Sequence, residues 1–411
     1  MSDPPASSYP AAAPKAPILV LVGMMVSSQM AITIHLAALP TLPELLATSQ
    51  AMVQNTITLY LFAFAIAQLF IGPISDALGR RPVVIAGLGL FSVASIAASF
   101  APNIEFLLAA RIVQAVGACA GIALSRAIVR DCFTGQKSVK AMVYLSMAMA
   151  LMPATAPLIG GGLLVFFGWR SIFVVTGLTG FVVFLAAAAT LTETLPRDAR
   201  RPLHPVALLR GYSHLVAQRT YMAYSASLGC LSGAFNGFLA AIPIVLIAVM
   251  GVPEEHFGLY IMPIPVGFII GSAIAGRLAA RHPNAAIVRA GLAINIAAGV
   301  ALIALTMAGL ATPLSILFPL FVFAAGNGLV VPNGLAGSLN AIAPSYAGSA
   351  AALTGFMQMS IAALATVTLG LVAFRSAMPM AVVMTVAATA SFVAFLVLFR
   401  PGPEALTQAS D

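Results

Sequence analysis

Long apolar segments alternate along the chain with short polar stretches that contain glycine, proline or charged residues. A hydrocarbon core about 30 Å thick is crossed by around 20 helical residues. Twelve segments reach this length when breaks are placed at glycine, proline and charge. The pattern therefore predicts an all-α membrane protein with spans at 16–39, 52–72, 83–101, 105–130, 139–166, 169–192, 219–250, 257–280, 284–308, 312–338, 346–373 and 377–399.

The composition agrees with a chain that is mostly embedded in lipid. Hydrophobic residues make up 61% of the 411 residues and charged residues only 7%, whereas soluble domains are roughly a quarter charged. Such a chain cannot cover a water-facing surface, so we exclude a soluble enzyme. Cys119, Cys132 and Cys230 show no paired spacing, which argues against a disulfide or a metal site. No cofactor is implied.

The positive charges fall on one side of the predicted helices if the amino terminus is cytoplasmic. Only Arg170 and Arg375 then lie at outer helix ends, and Arg111 lies within a span. Because basic loops stay in the cytoplasm, we predict an inner-membrane protein with both termini inside. Residues 1–15, rich in proline, alanine and serine, predict a disordered tail, and the apolar run after Lys15 is too long for a signal peptide. The cytoplasmic basic residues are Lys15, Arg80, Arg81, Arg126, Arg130, Lys137, Lys140, Arg197, Arg200, Arg201, Arg210, Arg219, Arg277, Arg281, Arg289 and Arg400.

The longest polar stretch lies near the middle of the chain and divides the spans six and six. We predict an amino-terminal six-helix bundle at 16–193, a cytoplasmic linker at 194–218, a carboxy-terminal bundle at 219–399 and a tail at 400–411. A weak internal similarity supports duplication. Gly72 is followed later by a basic residue and a proline, and Gly271 is followed by such a pair in the same way. Repeats of this kind are typical of secondary transporters.

The loop after the second predicted helix combines glycines with charge. Gly72 and Gly79 would allow a tight turn or a close helix approach, while Asp76, Arg80 and Arg81 supply opposite charges at the membrane surface. The simpler alternative is a solvated basic loop that fixes topology.

The fourth predicted helix carries a charge at depth. Arg111 and Gln114 are three residues apart and therefore share one helix face. A guanidinium inside a span predicts a cavity-facing group that contacts substrate or responds to a proton. The alternative is snorkelling of its side chain towards the outer surface. The helix ends with Arg126, Arg130 and Asp131.

The fifth predicted helix contains Pro153 and Pro157, followed by Gly160 and Gly161. The prolines remove backbone donors and bend a helix, and the glycines let another helix come very close. These residues predict a hinge and a helix interface, although a plain packing kink would use the same residue types.

These three runs resemble signature elements of the major facilitator superfamily. Smaller pieces, such as Leu39-Pro40 and the run Glu193-Thr194-Leu195-Pro196, make the chain similar to the Bcr/CflA branch of twelve-span drug:proton antiporters. The resemblance is strongest over 52–196 and implies two six-helix bundles. It also implies that Asp76 faces the amino end of the eleventh helix, and that the fifth helix holds the antiporter motif. The implied cytoplasmic gate comprises Gly72, Asp76, Gly79, Arg80, Arg81, Arg126, Arg130 and Asp131.

The chain departs from this branch in its first helix. Thr33 and His35 stand where the branch usually carries an aspartate and then a tyrosine, and no acidic residue lies at depth in the interior of any predicted span. His35 is therefore a candidate proton carrier, because an imidazole titrates in the useful range. It could equally be a packing residue or a neutral substrate contact, and coupling could run through Asp76, Asp131 or the substrate.

These observations predict a secondary transporter that exports small amphipathic drugs of the amphenicol or bicyclomycin type by alternating access. Protons and the lipid bilayer are its other expected partners; we expect a monomer and no nucleic-acid partner. Transport of a specific metabolite and uncoupled facilitation are the alternatives. A channel, a membrane enzyme and an ATP-driven pump lack the required polar lining, clustered side chains or phosphate loop. Candidate residues for substrate binding or coupling are Gln29, Thr33, His35, Asn55, Tyr60, Arg111, Gln114, Tyr144, Asn236, Asn327 and Gln358.

Overall fold

The structure is a computed structural model that describes residues 16–200, 204–310, 312–343, 346–372 and 374–400. The predicted amino-terminal tail, Lys15, Arg201 and the carboxy-terminal tail beyond Arg400 lie outside these residues. Within them the regular elements are helices, and twelve of these form the body of the protein. They are α1 (Ile18–Thr33, continued by a 3-10 segment, Ile34–Ala38), α2 (Gln50–Leu78), α3 (Arg80–Ser99), α4 (Ile104–Cys132), α5 (Gly135–Phe167), α6 (Trp169–Thr190), α7 (Arg219–Pro243, continued by a π-helical segment, Ile244–Val249), α8 (Pro263–Leu278, preceded by a short helix, Phe257–Ile261), α9 (Asn284–Met307), α10 (Pro313–Asn340), α11 (Ala347–Gly370) and α12 (Met378–Leu398).

Eleven helices of the described chain are long and apolar enough to cross a membrane, and α5 makes twelve when its two bent parts count as one span. The twelve predicted spans are confirmed, with small errors at their ends. The largest is at α2, which continues through Pro73 to Leu78 instead of ending at residue 72. Gly79 ends it, because its φ of 104° is readily adopted only by glycine.

The packing of the first six helices is repeated by the last six. In the first half α3 packs against α4 and α6, α2 against α4, and α1 against α5 and α6. In the second half α9 packs against α10 and α12, α8 against α10, and α7 against α11 and α12. Each pair therefore has a counterpart six helices later, which is the arrangement expected of a duplicated bundle. The domain limits given above stay a prediction.

The two halves meet mainly along α2 and α11. At one end of this contact Gly370 packs on the side chain of Gln54. At the other end Gly355 lies so close to the amide of Gln68 that any side chain in place of the glycine would overlap it. Between them the hydroxyls of Thr58 and Thr366 share a hydrogen bond of 2.8 Å. A second contact joins α5 to the residues just before and within α8.

The linker contains a helix that the sequence analysis missed. This linker helix, Pro205–Ala217, lies at the end of the bundle that also carries the α2–α3 loop, which we call the linker end. It joins both halves, because the Tyr212 hydroxyl donates to the carbonyl of Leu69 in α2 at 2.8 Å, while Leu215 is buried against Tyr221 and Ala350. Burial raises the pKa of Tyr212 to about 12, and Tyr221 adds to the shift, so the phenol stays a donor at neutral pH.

Candidate functional site

A buried polar cluster lies inside the first half, where α1, α2 and α4 meet. Its centre is Arg111, whose side chain is 1% exposed. Nη1 donates to the carbonyl of Ala31 in α1 at 2.9 Å and Nε to that of Thr56 in α2 at 3.3 Å. Nη1 also donates to Oε1 of Gln114, and the Gln114 amide donates to Oγ of Ser95 in α3 at 2.7 Å. The cluster therefore ties four helices to one guanidinium.

Two further side chains complete this cluster. The Tyr60 ring stacks on the guanidinium of Arg111, with 4.1 Å between the Arg Cζ and the ring centroid. Cation–π contact of this kind stabilises a cation that has been taken out of water. His35 lies one helical turn beyond Ala31, within electrostatic range of Arg111. The Tyr60 hydroxyl and both ring nitrogens of His35 are buried without a hydrogen-bond partner among the described residues.

The structure contradicts the snorkelling alternative for Arg111. A snorkelling side chain would extend to the bilayer surface, where its charged group stays in water. Arg111 instead ends among backbone carbonyls of two neighbouring helices and is almost completely buried. It is also not open to solvent in this conformation, so substrate contact requires a different arrangement of the helices.

The other candidates do not hydrogen-bond to this cluster. Thr33 donates to the carbonyl of Met152 in α5 at 3.5 Å. Asn236 donates to its own helix at Ser232, and Tyr144 is 53% exposed. Gln29, Asn55 and Gln358 are half-buried.

Asn327 has a helix-packing role. It accepts a hydrogen bond from Asn295 of α9 at 3.0 Å and is almost fully buried. Polar pairs of this kind join helices within membranes. The prediction that Asn327 contacts substrate finds no support in this geometry.

Sequence reasoning missed several polar residues of the interior. Ser95 belongs to the cluster because it holds Gln114. Among the described residues, neither amide atom of Gln54 has a hydrogen-bond partner, and Oε1 of Gln68 has none either. Both glutamines lie on α2 at its contact with α11. The sequence signal that could have identified these two residues is a glutamine within an otherwise apolar helix.

The predicted cytoplasmic gate forms a charge network at the linker end. Arg80 at the start of α3 pairs with Asp76 in the last turn of α2 and, through Nε, with Asp131 of α4 at 3.0 Å. Arg81 donates to the carbonyls of Ala188 and Leu191 at the end of α6, at 2.9 and 2.8 Å. The network therefore ties α2, α3, α4 and α6 together. The contact of Asp76 with α11 that the resemblance implies stays a prediction.

Glu193 is part of this network, although it was not among the predicted site residues. Its Oε1 accepts from the backbone N–H groups of Arg80, Thr194 and Leu195 at 2.8 to 3.0 Å. Its other oxygen pairs with Arg200 at 3.5 Å. A single carboxylate thus satisfies the first backbone donor of α3 and two donors of the chain leaving α6.

Three predicted gate residues lie apart from the network. Arg126 is half-buried and contacts the sulfur of Met149, and Arg130 is exposed at the end of α4. Gly72 is inside α2 and faces open space, so the expected close approach or tight turn does not occur there. Of the two glycines, only Gly79 adopts the backbone conformation expected of a turn.

The proline and glycine run of α5 has the predicted shape. The helix bends by 42° between Pro153 and Thr155. Beyond the bend, a side chain on Gly160 would overlap the carbonyl oxygen of Ile34, and Gly161 faces the carbonyl of Glu254. Gly162 faces open space. The run therefore brings α5 close to the 3-10 end of α1 and to the residues before α8.

Comparison with known proteins agrees with this architecture. A sequence model described as Major Facilitator Superfamily matches residues 21–366. An uncharacterized MFS-type transporter of Bacillus subtilis (strain 168) is 31% identical over 384 residues, covering 92% of this chain and 94% of that protein. The bicyclomycin resistance protein homolog of Haemophilus influenzae is 28% identical over 85% of this chain and 87% of its own. The chloramphenicol resistance protein of Pseudomonas aeruginosa is 28% identical over 78% and 76%.

The fold is also similar to that of a solved transporter. The xylose transporter XylE of E. coli, in a partially occluded inward-open conformation, aligns with a TM-score of 0.73 and covers 94% of this chain and 98% of that chain. Its sequence identity is only 12%, so this likeness concerns the fold alone.

Proposed function

The chain belongs to the Major Facilitator Superfamily, and from that premise we propose that it exports small amphipathic antibiotics of the amphenicol or bicyclomycin type. It is a multi-pass membrane transporter with twelve spans when bent α5 is counted as one. The names of its relatives in Haemophilus and Pseudomonas support the drug class. The site supports it as well, because its polar groups are few and surrounded by apolar side chains, as in pockets that accept varied small ligands.

The observation that carries this proposal is the buried cluster of Arg111, Gln114, Tyr60 and His35. A charged group inside a membrane is costly and marks a functional site more often than a structural one. The cluster lies deep in α4, far from the charge network at the linker end. A positive charge at this point favours neutral or weakly anionic drugs over cations.

We propose that transport proceeds by alternating access, with the two halves rocking about a central site. The longest contact between the halves runs along α2 and α11 and supports this mechanism, because the halves can rotate about this seam. The end of the bundle away from the linker is closed in this conformation by two contacts. The 3-10 segment after α1 touches α7, and α5 touches the short helix before α8.

We propose that export is coupled to proton entry and that His35 is the group that carries the proton. It is the only histidine within the described spans, and it lies in the cluster rather than at the membrane surface. The protein would work as a monomer in the cell inner membrane, with its linker end in the cytoplasm.

A drug-susceptibility panel tests this function. Cells that lack their major efflux pumps would express the protein or carry the empty vector, and their inhibitory concentrations for chloramphenicol and bicyclomycin would be compared. We expect the protein to raise these inhibitory concentrations several-fold, and an uncoupler to abolish the increase. The variant Arg111→Ala should insert into the membrane in equal amount but give no protection. Unchanged drug sensitivity in cells that contain the wild-type protein would rule out this substrate class.

A further inference from the structure

The positive charge of Arg111 has no counter-charge among the residues that the structure describes. The acidic residues of the described chain lie at helix ends or in loops, and the three ion pairs found there all lie at the linker end. Within the described part of the chain, the charge of Arg111 is stabilised by carbonyl dipoles, the Gln114 amide and the Tyr60 ring. An unpaired charge in a low-dielectric interior costs several kcal/mol, so a negatively charged partner would be strongly favoured.

The groups around Arg111 also have unused donors. Nε and Nη1 are occupied, but Nη2 has no hydrogen-bond partner among the described residues. The Tyr60 hydroxyl and the ring nitrogens of His35 are unpartnered too, and both side chains are at most 1% exposed. Buried polar groups without partners are rare in native proteins and call for an explanation. A negatively charged ligand that accepts hydrogen bonds would offer a partner to these donors and a counter-charge to Arg111.

The placement of these groups on the helices is regular. The carbonyl of Thr56 and the ring of Tyr60 are four residues apart on α2, a spacing that places them on one helix face. The carbonyl of Ala31 lies in the last turn of α1, and His35 follows it in the 3-10 segment that continues this helix. Each of the two chain segments therefore supplies an acceptor that fixes the guanidinium and, four residues later, a side chain with an unpartnered polar group.

We propose that this cluster is a binding site for a monovalent anion, supplied by the carboxylate of an anionic substrate or by chloride. A carboxylate is the stronger partner, because a guanidinium donates to it in a planar, two-pronged geometry. A neutral amphenicol would be exported together with chloride held at the same groups. The proposal rests on the transport function proposed above and names the charge class of its ligand.

A second cation on the same helix extends the positive potential. Arg126 lies fifteen residues after Arg111, about 22 Å towards the linker end at the rise of an α-helix. Its guanidinium contacts the sulfur of Met149, and it forms no ion pair with the described residues. An anion approaching from the linker end would therefore meet favourable charge before it reaches Arg111.

Three probes of one shape and different charge test the site on the purified full-length protein. Benzoate, benzamide and benzylamine would each be titrated, and binding read from calorimetry and from the shift in thermal denaturation. We expect saturable stabilisation by benzoate and none by the amide or the amine. Stabilisation by benzylamine, or equal binding of all three, would overturn the proposal.

Variants assign the binding to the cluster. Arg111→Gln should weaken benzoate about tenfold or more, the loss expected for a charge-assisted hydrogen bond. Arg170→Gln is the matched control, because Arg170 stacks on Trp169 at the far end of the bundle and should leave binding unchanged. Benzoate affinity that is equal in Arg111→Gln and wild type contradicts the site.

Tyr60→Phe keeps the test meaningful if Arg111→Gln does not fold. The variant keeps the ring over Arg111 and removes a hydroxyl that has no partner in the free protein. Its denaturation temperature without ligand should therefore match wild type, while benzoate binding weakens about fivefold. An unchanged benzoate affinity in Tyr60→Phe would place the anion away from this cluster and refute the geometry.

Chloride separates the two sources of the anion. Chloride would be replaced by sulfate, a divalent anion outside the proposed class, and benzoate binding should be intact or stronger in sulfate. If chloride competes with benzoate, and this competition is lost in Arg111→Gln, the halide is a natural occupant of the site. If neither anion binds, the proposal fails. Export of chloramphenicol without binding of either anion would support the proposed function and refute the anion site. Binding of benzoate without drug export would support the anion site and refute the proposed function.

Discussion

At the scale of single residues, the interior of this transporter is defined by one guanidinium and the groups that hold it. Arg111 is fixed by carbonyls from two helices, so its position depends on the packing of the whole first half. His35 has no such fixing bonds. It is therefore the residue of the cluster that can be changed with least effect on folding.

The variant His35→Asn tests the proton pathway. In wild type an outside pH lower than the cytoplasmic pH should speed export, because protons then enter down their gradient. Asparagine keeps a hydrogen-bond donor but cannot take up a proton in this range. We expect export by the variant to be equal with and without the pH gradient, measured as drug efflux from preloaded vesicles. A pH profile identical to wild type would end the proposal for His35.

Part of the site was accessible from the sequence. Arg111 and Gln114 are joined as predicted, because a spacing of three residues brings side chains together on any helix. The carbonyls of Ala31 and Thr56 could not be predicted, since backbone acceptors have no sequence signature and their position depends on how α1 and α2 pack against α4. The same applies to Ser95, which is one of many serines on apolar helices.

At the scale of helices and loops, Glu193 holds the start of α3 to the end of α6. Glu193→Ala would leave three half-buried N–H groups without their acceptor, which costs about 1–3 kcal/mol. Glu193→Gln keeps an acceptor oxygen and should recover most of that loss. Thermal denaturation in detergent measures both effects, and an equal loss of stability in the alanine and glutamine variants would contradict this role of Glu193.

The glycines of α5 give a second test at this scale. Gly160→Ala would push a methyl group into the carbonyl of Ile34, whereas Gly162→Ala points into open space. We expect Gly160→Ala to lower transport strongly and to destabilise the fold, and Gly162→Ala to be neutral or slightly stabilising. Drug efflux and denaturation temperature report both. A tolerant Gly160→Ala would show that α5 does not pack this closely.

The elements themselves were predicted well because the length of an apolar segment is a strong signal. The linker helix was missed for the opposite reason. It is thirteen residues long, its composition is mixed, and it is held by contacts with α2, α7 and α11 that no local pattern contains. Pro73 gave a false end to α2, because the helix tolerates a proline near its terminus.

At the scale of the whole molecule, the orientation in the membrane is the prediction on which the cytoplasmic gate depends. In a background without native cysteines, Ser213→Cys lies on the exposed linker helix and Leu310→Cys at the opposite end, where Leu310 is 60% exposed. An impermeant maleimide should label only Leu310→Cys in intact spheroplasts and both after lysis. Labelling of Ser213→Cys before lysis means that the orientation is inverted.

The seam between α2 and α11 limits how this protein can move. Two rods that touch at two separate points and share a bond between them can rotate about their common line while these contacts hold. Spectroscopic probes placed beside Thr58 and Thr366 should therefore report a constant separation throughout the transport cycle. Useful distance reporters must be set well away from that axis, where a small rotation becomes a displacement of several ångströms.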